Sequence, residues 1–174
     1  MHFEYCPHCG AKTVLREMGD DGAVPYCEGC RKPLFDMFST CVLSVVQAPD
    51  GKLALIRQSY GQQDYFVGVA GYMKPGETAE QAALREISEE IGIAARNIRF
   101  LFSKWHDTKG QLLLCFCAES DEIAFRLSGE VSEAKWFTPE EAKHAVRPGS
   151  IIEQTVLAAN PENAEKRLEK IRNI

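Results

Sequence analysis

Apolar and polar positions along this chain fall into two rhythms from residue 39 onward. "STCVLSVVQ" (39–47) is a nearly unbroken, β-branched apolar run, and "KLALIRQ" (52–58) is a second. Both read as strands, and "APDG" between them supplies the turn of a hairpin. "DYFVGVAGYM" (64–73) predicts a third extended segment, with glycines where backbone must approach something closely. From Thr78 to Ile91 the period changes. Ala83, Leu84, Ile87 and Ile91 recur at helical spacing and are expected to face the core. Thr78 caps that helix with Gln81 three residues on, and Gly92 stops it. "IRFLFSKWH" (98–106) and "LLLCFCAES" (112–120) predict two strands joined by a turn at "DTKG", and "AKWFT" (134–138) a short one. Thr138, Pro139 and Glu141 open a second helix as cap, first position and capping-box partner. Ile151–Ala159 reads as a third helix. "NPE" at Asn160 starts a fourth, whose segment "EKRLEKIR" (165–172) sets Leu168 and Ile171 on one side, against the core or a partner subunit. The sum is a mixed sheet with helices on it, an α/β or α+β chain.

The first 33 residues differ in texture. They are rich in Cys, Gly and charge and poor in large aliphatic residues, which sets residues 1–35 apart from 36–174. Cys6, Cys9, Cys27 and Cys30 stand as C-x2-C-x17-C-x2-C. Four thiolates so spaced suit a tetrahedral structural Zn²⁺; disulfides or an iron–sulfur centre are the alternatives. A block this small builds little core, so a metal would supply its folding energy. Lys12, Arg16, Arg31 and Lys32 are offset by Glu4, Glu17, Asp20, Asp21 and Glu28, which disfavours nucleic-acid binding and favours a structural or dimer-building role. Cys41, Cys115 and Cys117 lie in apolar runs and read as small buried hydrophobes.

Composition narrows the picture further. With 174 residues, 45% hydrophobic and 26% charged, the chain suits one soluble domain with a small appendage. Its net charge of -5 gives no field for general nucleic-acid binding; an acidic protein that holds polyphosphates needs cations between the like charges. No apolar run reaches the roughly 18 residues of a membrane span. The start, "MHFEYCPHCG", lacks a signal pattern, so a cytoplasmic protein with reduced thiols is expected.

The candidate chemistry lies in "GYMKPGETAEQAALREISEEIGI", Gly71–Ile93. On a helix Glu86, Glu89 and Glu90 stand at i, i+3 and i+4, and like charges so placed destabilise it slightly. They form either a solvated acidic face or, with Mg²⁺ or Mn²⁺, a site for substrate phosphates. Gly71 and Gly76 bracket a loop just before the helix, and Arg85 is placed to pair with Glu77 and tie that loop down.

These residues resemble the Nudix hydrolase signature G-x5-E-x7-R-E-U-x-E-E-x-G-U, where U is aliphatic. Gly71, Glu77, Arg85, Glu86, Ile87, Glu89, Glu90, Gly92 and Ile93 fill its fixed places. The resemblance implies an α/β/α sandwich with a mixed sheet from about Phe38 onward. It also implies Mg²⁺- or Mn²⁺-dependent hydrolysis of a nucleoside diphosphate linked to another moiety. A zinc ribbon before such a domain is similar to the NADH/NAD diphosphatase subfamily, as are "AGYMKPGET", "GEVSEAKWF" and "RPGSIIEQ". That likeness implies metal ligation by Glu86, Glu90, Glu130 and the Ala70 carbonyl. It implies Glu89 as a further ligand or general base, and Glu77 and Arg85 as orienting partners. Tyr72, Trp105 and Ile152 are implied to contact substrate, with His106 beside them as a candidate, and a homodimer is implied as well.

Two departures stand out. With the ribbon at the start of the sequence, the subfamily's longer N-terminal domain is expected to be absent. Its S-Q-P-W-P-F-P-x-S motif is replaced by "SKWHDTKGQ" (103–111), with the tryptophan displaced by one and the prolines gone. The resemblance thus implies an NADH-diphosphatase-like protein of open specificity. Candidate substrates are NADH, NAD⁺, ADP-ribose, FAD, dinucleoside polyphosphates and, as the one nucleic acid expected, an NAD-capped RNA end. The alternative is a catalytically silent module that senses a nucleotide while the ribbon contacts protein or nucleic acid.

Overall fold

The apolar run at residues 39–47 becomes a central strand covered on both faces. A computed structural model describes residues 3–61 and 64–160. The chain divides into two units, Met1–Phe38 and Ser39–Ile174. The expected terminal helix begun by Asn160 lies, from residue 161 onward and with Leu168 and Ile171, outside the described residues.

The first unit holds a three-stranded antiparallel sheet: β1 (Val14–Glu17), β2 (Ala23–Cys27) and β3 (Lys32–Pro33), in that order, with a 3-10 turn at Gly19–Asp21 between β1 and β2. Its core is Cys6, Cys27 and Leu34, with Phe3 and Cys30 against them. Among the described residues its buried aliphatic side chains are Val24 and Leu34, worth about 2 kcal/mol each, too little to order such a unit.

The second unit is a six-stranded mixed sheet. β4 (Ser39–Gln47) and β5 (Leu53–Gln58) form the hairpin; β6 (Val69–Tyr72), α1 (Ala79–Ile91), β7 (Arg96–His106), β8 (Gln111–Glu119) and β9 (Val131–Phe137) follow, then α2 (Pro139–Ala145) and α3 (Ile151–Ala159). The order is β7-β8-β4-β5-β9, and β6 pairs with β4 as well. β4 and β8 run parallel from Ser39↔Gln111 to Gln47↔Glu119; the other pairs are antiparallel.

Strand alternation assigns the two faces. Val42 and Val46 of β4, Ile56 of β5 and Phe116 of β8 pack toward α1 with Ala82, Ala83, Ile87 and Ile91. Leu43 and Val45, Leu53 and Leu55, and Cys115 and Cys117 pack toward α2 and α3 with Ala142, Ile152 and Val156. Burial on both faces is why β4 reads as a continuous apolar run. It also accounts for Cys41, Cys115 and Cys117 as buried members of the α2/α3 face.

Several local expectations shift. The segment at 64–73 is not one strand: only Val69–Tyr72 pairs with β4, while Val67 bridges back to Ile56 and Phe66 to Val146. β5 pairs with β4 only at Val46↔Ala54 and Gln47↔Leu53, and β6 takes Cys41–Ser44, so the two share one edge of β4 and diverge. On α1 the buried set is Ala82, Ala83, Ile87, Glu90 and Ile91; Leu84 is only half-buried, because the contact face is rotated toward Ala82 and Glu90. β7 starts at Arg96 and β9 at Val131, earlier than the apolar runs suggest, since pairing with neighbours extends both. Both capping boxes form, Thr78 with Gln81 and Thr138 with Glu141. Among the described residues no helix is long and apolar enough to cross a membrane.

Candidate active site

The rotation of α1 sets its three clustered acids apart. Gly92 ends the helix in the left-handed region at φ 67°, and Ile87 and Ile91, both fully buried, anchor it on the sheet. Glu86 and Glu90 then fall on the flank toward β6: the Glu86 side chain is 13% exposed and Glu90 7%. Glu89 points outward at 53% and meets Lys74 Nζ at 3.6 Å. The even spacing along one helical face thus splits into two half-hidden carboxylates and one open one.

β6 supports that flank. Gly71, paired with Val42, lies directly beneath Glu86: a Cβ on Gly71 would sit 2.0 Å from the Glu86 carboxylate. Any other residue there must push Glu86 aside.

Arg85 gathers the loop and the acids. Its Nε and Nη2 donate to the two oxygens of Glu77 at 3.0 and 2.8 Å, a bidentate fork. Nη1 donates to Glu86 at 2.6 Å and Glu89 at 3.0 Å, and Nη2 also reaches the Tyr72 carbonyl at 3.1 Å. Glu77 further accepts the Lys74 N–H at 2.5 Å. Arg85 and that N–H hold the Glu77 carboxyl down at about 2. The Glu77 charge is thereby locked into closing the loop at 74–77.

Glu90 is the opposite case. Burial, then the facing carboxylates of Glu86 and Glu130, push it up to about 7; the Ala70 N–H pulls the other way and Glu89 adds to the rise. Glu130 enters from the start of β9, where Ser59 N–H donates to its carbonyl at 2.8 Å. Tyr60, whose phenol lies 3.4 Å from Gln58 Nε2, is raised by burial and by Glu130 and Glu90.

Above these acids opens a cavity of about 1050 Å³. Ala70, Tyr72, Arg85, Glu86, Glu89, Glu90, Trp105, Glu130 and Ile152 all line it; Glu77 does not, and acts through Arg85. Tyr72 is 62% and Trp105 43% exposed, so both rings offer faces to a ligand, whereas Ile152 is buried in the α3 wall. His106 lines it too, 3.1 Å from Thr108 Oγ1. His144 lies apart on α2 against Glu140. Sequence reasoning passed over Tyr60, Lys104, Lys109 and the side chain of Arg147, which also line the cavity. A lone tyrosine and single cations scattered over a strand and loops carry no periodic signal, and only the folded sheet brings them to this wall.

The donor set of Glu86, Glu90 and Glu130 is hard oxygen, and a carboxyl pushed to about 7 by burial and then by facing carboxylates is what a nearby dication would relieve. That chemistry fits Mg²⁺ or Mn²⁺. Among the described residues the set whose ligand atoms converge within 4.8 Å is a different one, Cys6, Cys9, Cys27 and Cys30 of the first unit. Their sulfurs stand at 3.9 Å for Cys6–Cys30 and 3.5 Å for Cys9–Cys27. A tetrahedron with Zn–S bonds of about 2.3 Å has edges of about 3.8 Å, so the spacing fits zinc and is far too long for S–S bonds. Burial raises the Cys6 thiol, but the N–H groups of His8 and Cys9 outweigh it and bring it to about 7. Hydrogen bonding with Cys9 and Cys27 pushes Cys30 up to about 12.

A family model described as NUDIX domain matches residues 37–155. Among curated relatives, the chain is 31% identical over 140 residues to a protein of Deinococcus radiodurans named NAD-capped RNA hydrolase NudC, covering 78% of this chain and 49% of that one. It is 27% identical over 157 residues to one of the same name from Vibrio parahaemolyticus, covering 87% and 59%. The chain therefore spans roughly half to three-fifths of the length of these relatives. Among solved structures, a NUDIX hydrolase from Nitrosomonas europaea aligns with a TM-score of 0.70 at 22% identity over 88% of each chain. The NUDIX domain of Shewanella oneidensis NrtR, crystallised with ADP ribose, aligns with a TM-score of 0.62 at 19% identity, over 82% of this chain and 94% of that one.

Proposed function

The chain belongs to the NUDIX family, and from that premise we propose that it is a metal-dependent pyrophosphohydrolase. Its substrate is a nucleoside diphosphate linked to another moiety, NADH, NAD⁺, ADP-ribose or similar; relatives named NAD-capped RNA hydrolase support a substrate that contains NAD. The observation that carries this reading is the meeting of Glu86, Glu89, Glu90 and Glu130 at one large cavity, with Glu90 buried against like charges.

Glu86, Glu90, Glu130 and the Ala70 carbonyl would hold Mg²⁺ or Mn²⁺, which supplies Lewis-acid neutralisation of the diphosphate and a lowered pKa for a bound water. Arg85, fastened by Glu77, fixes the rotamers of Glu86 and Glu89. Glu89, open to solvent, serves as a further ligand or as the base that takes a proton from the attacking water. Tyr72 and Trp105 offer ring faces to a base or nicotinamide, and Ile152 closes the wall behind. In the first unit, Cys6, Cys9, Cys27 and Cys30 hold a structural Zn²⁺.

The test is a panel of NADH, NAD⁺, ADP-ribose, FAD, dinucleoside polyphosphates and NAD-capped RNA, with Mg²⁺ or Mn²⁺, scored by release of mononucleotide. Turnover of at least one member is expected. Tight binding with no turnover across the panel identifies a silent sensor instead. Gly71→Ala supplies a second check. The clash falls on the end of a flexible side chain, so the cost in stability is small, about 1 kcal/mol. Because Glu86 must move, Mn²⁺ affinity is expected to fall about 10–100-fold. Calorimetry with Mn²⁺ beside a thermal melt reads both.

A further inference from the structure

We infer that Lys104, Lys109 and Arg147 form an anion site in the wall of the same cavity, for a phosphate group carried by the substrate beyond the diphosphate that is cleaved. This inference rests on the reading of the cavity as a diphosphate site and names the substrate class more closely.

The cations of the cavity fall into two sets. Arg85 and Lys74 are committed to acids, Arg85 to Glu77, Glu86 and Glu89 and Lys74 to Glu89. Lys104, Lys109 and Arg147 line the cavity and, among the described residues, have no ion-pair partner. Asp107, two residues before Lys109, lines the cavity as well. In a chain of net charge -5, three unpaired cations lining the cavity that also holds the acids run against the overall sign.

One of the three cations sits on a paired strand and two on closed turns. Lys104 lies within β7, paired with Leu113. Lys109 sits on the β7–β8 turn, where the Lys109 and Gly110 N–H groups donate to His106 O at 3.2 and 2.9 Å. Arg147 follows α2, and its carbonyl accepts from Ser150 Oγ at 2.5 Å. Their backbones are held before any ligand arrives, which lowers the ordering cost of binding. Cys41, buried in the cavity wall, registers the polarity. Burial raises its thiol, Lys109 lowers it and Glu86 raises it, so both signs act on this one side chain.

A cation-bound diphosphate at the acids leaves these charges unmatched. A further phosphomonoester on a ribose, or extra phosphates in a longer chain, matches them. Both sources present the same chemistry, and matched ligand pairs separate them.

Binding is read in the Glu90→Gln background with Mg²⁺, so that ligand is not consumed. NADPH is compared with NADH for a ribose phosphate, and diadenosine tetraphosphate with diadenosine diphosphate for a longer chain. In at least one pair the more phosphorylated member is expected to bind about tenfold more tightly. In the triple variant Lys104→Gln, Lys109→Gln, Arg147→Gln that ratio is expected to fall to near one, with the melting temperature retained because all three are exposed. Equal affinities in both pairs, or a preference that survives the triple variant, overturn the inference. Failure of the diphosphatase reading shows separately, as absence of turnover by the unmutated chain on the panel above.

Discussion

Glu90→Gln is expected to lower turnover on the order of 10³-fold while leaving the fold intact, and without bound metal to stabilise it. The two effects have one cause. Glu90 is 7% exposed and faces Glu86 and Glu130, so its negative charge is costly unless a cation shares the site. Its folded value, about 7, lies above the unfolded 4.5. The folded chain therefore binds more protons than the unfolded one between those values, and stability falls as pH rises through that window. In chelator, the unmutated chain is expected to lose stability from about pH 5 to pH 8 relative to Glu90→Gln, by 1–2 kcal/mol after allowing for solvent screening. Chelator-treated melts of both proteins at the two pH values check the difference. A variant that keeps full turnover on every good substrate, or a pH difference of the opposite sign, contradicts the role given to Glu90.

Cys27→Ser is expected to unfold the first unit. Cys27 is fully buried, and the core around it contributes one aliphatic side chain, Leu34. Against that, structural zinc in small domains contributes about 10–16 kcal/mol of apparent binding energy. Metal analysis should find about one zinc per chain before the substitution and none after. Residues 3–38 should become readily cleaved by protease, while residues 39–160 keep their own melting transition, because their two apolar layers contain no zinc ligand. A zinc-free chain whose first unit resists protease rules the metal site out.

Much of the fold was legible one element at a time. Thr78, Gln81 and Gly92 delimit α1 because capping and left-handed termination act within a single turn. Thr138 and Glu141 do the same for α2. The run at 39–47 announced a strand buried on both sides. The exposure of Leu84 was not legible: helical spacing gives a stripe but not its rotation against a sheet, and Ala82 and Glu90 took the buried side. Nor was the shared edge of β4, since nothing local tells β5 and β6 to divide it.

The candidate site divides the same way. The spacing of Glu77, Arg85, Glu86, Glu89 and Glu90, and of the four cysteines, is written in the chain, because helices and paired knuckles turn separation in sequence directly into distance. Glu130 was implied only by family likeness, and that it, Tyr60, Lys104, Lys109 and Arg147 reach one cavity is decided by tertiary structure. They come from the start of β9, the loop after β5, the β7–β8 hairpin and the turn after α2, and no sequence separation encodes where those ends meet. The cost of charge on Glu90 is mixed: Glu86 and Glu89 are its neighbours in the chain, but its burial, the largest cause, and the approach of Glu130 come from the tertiary structure.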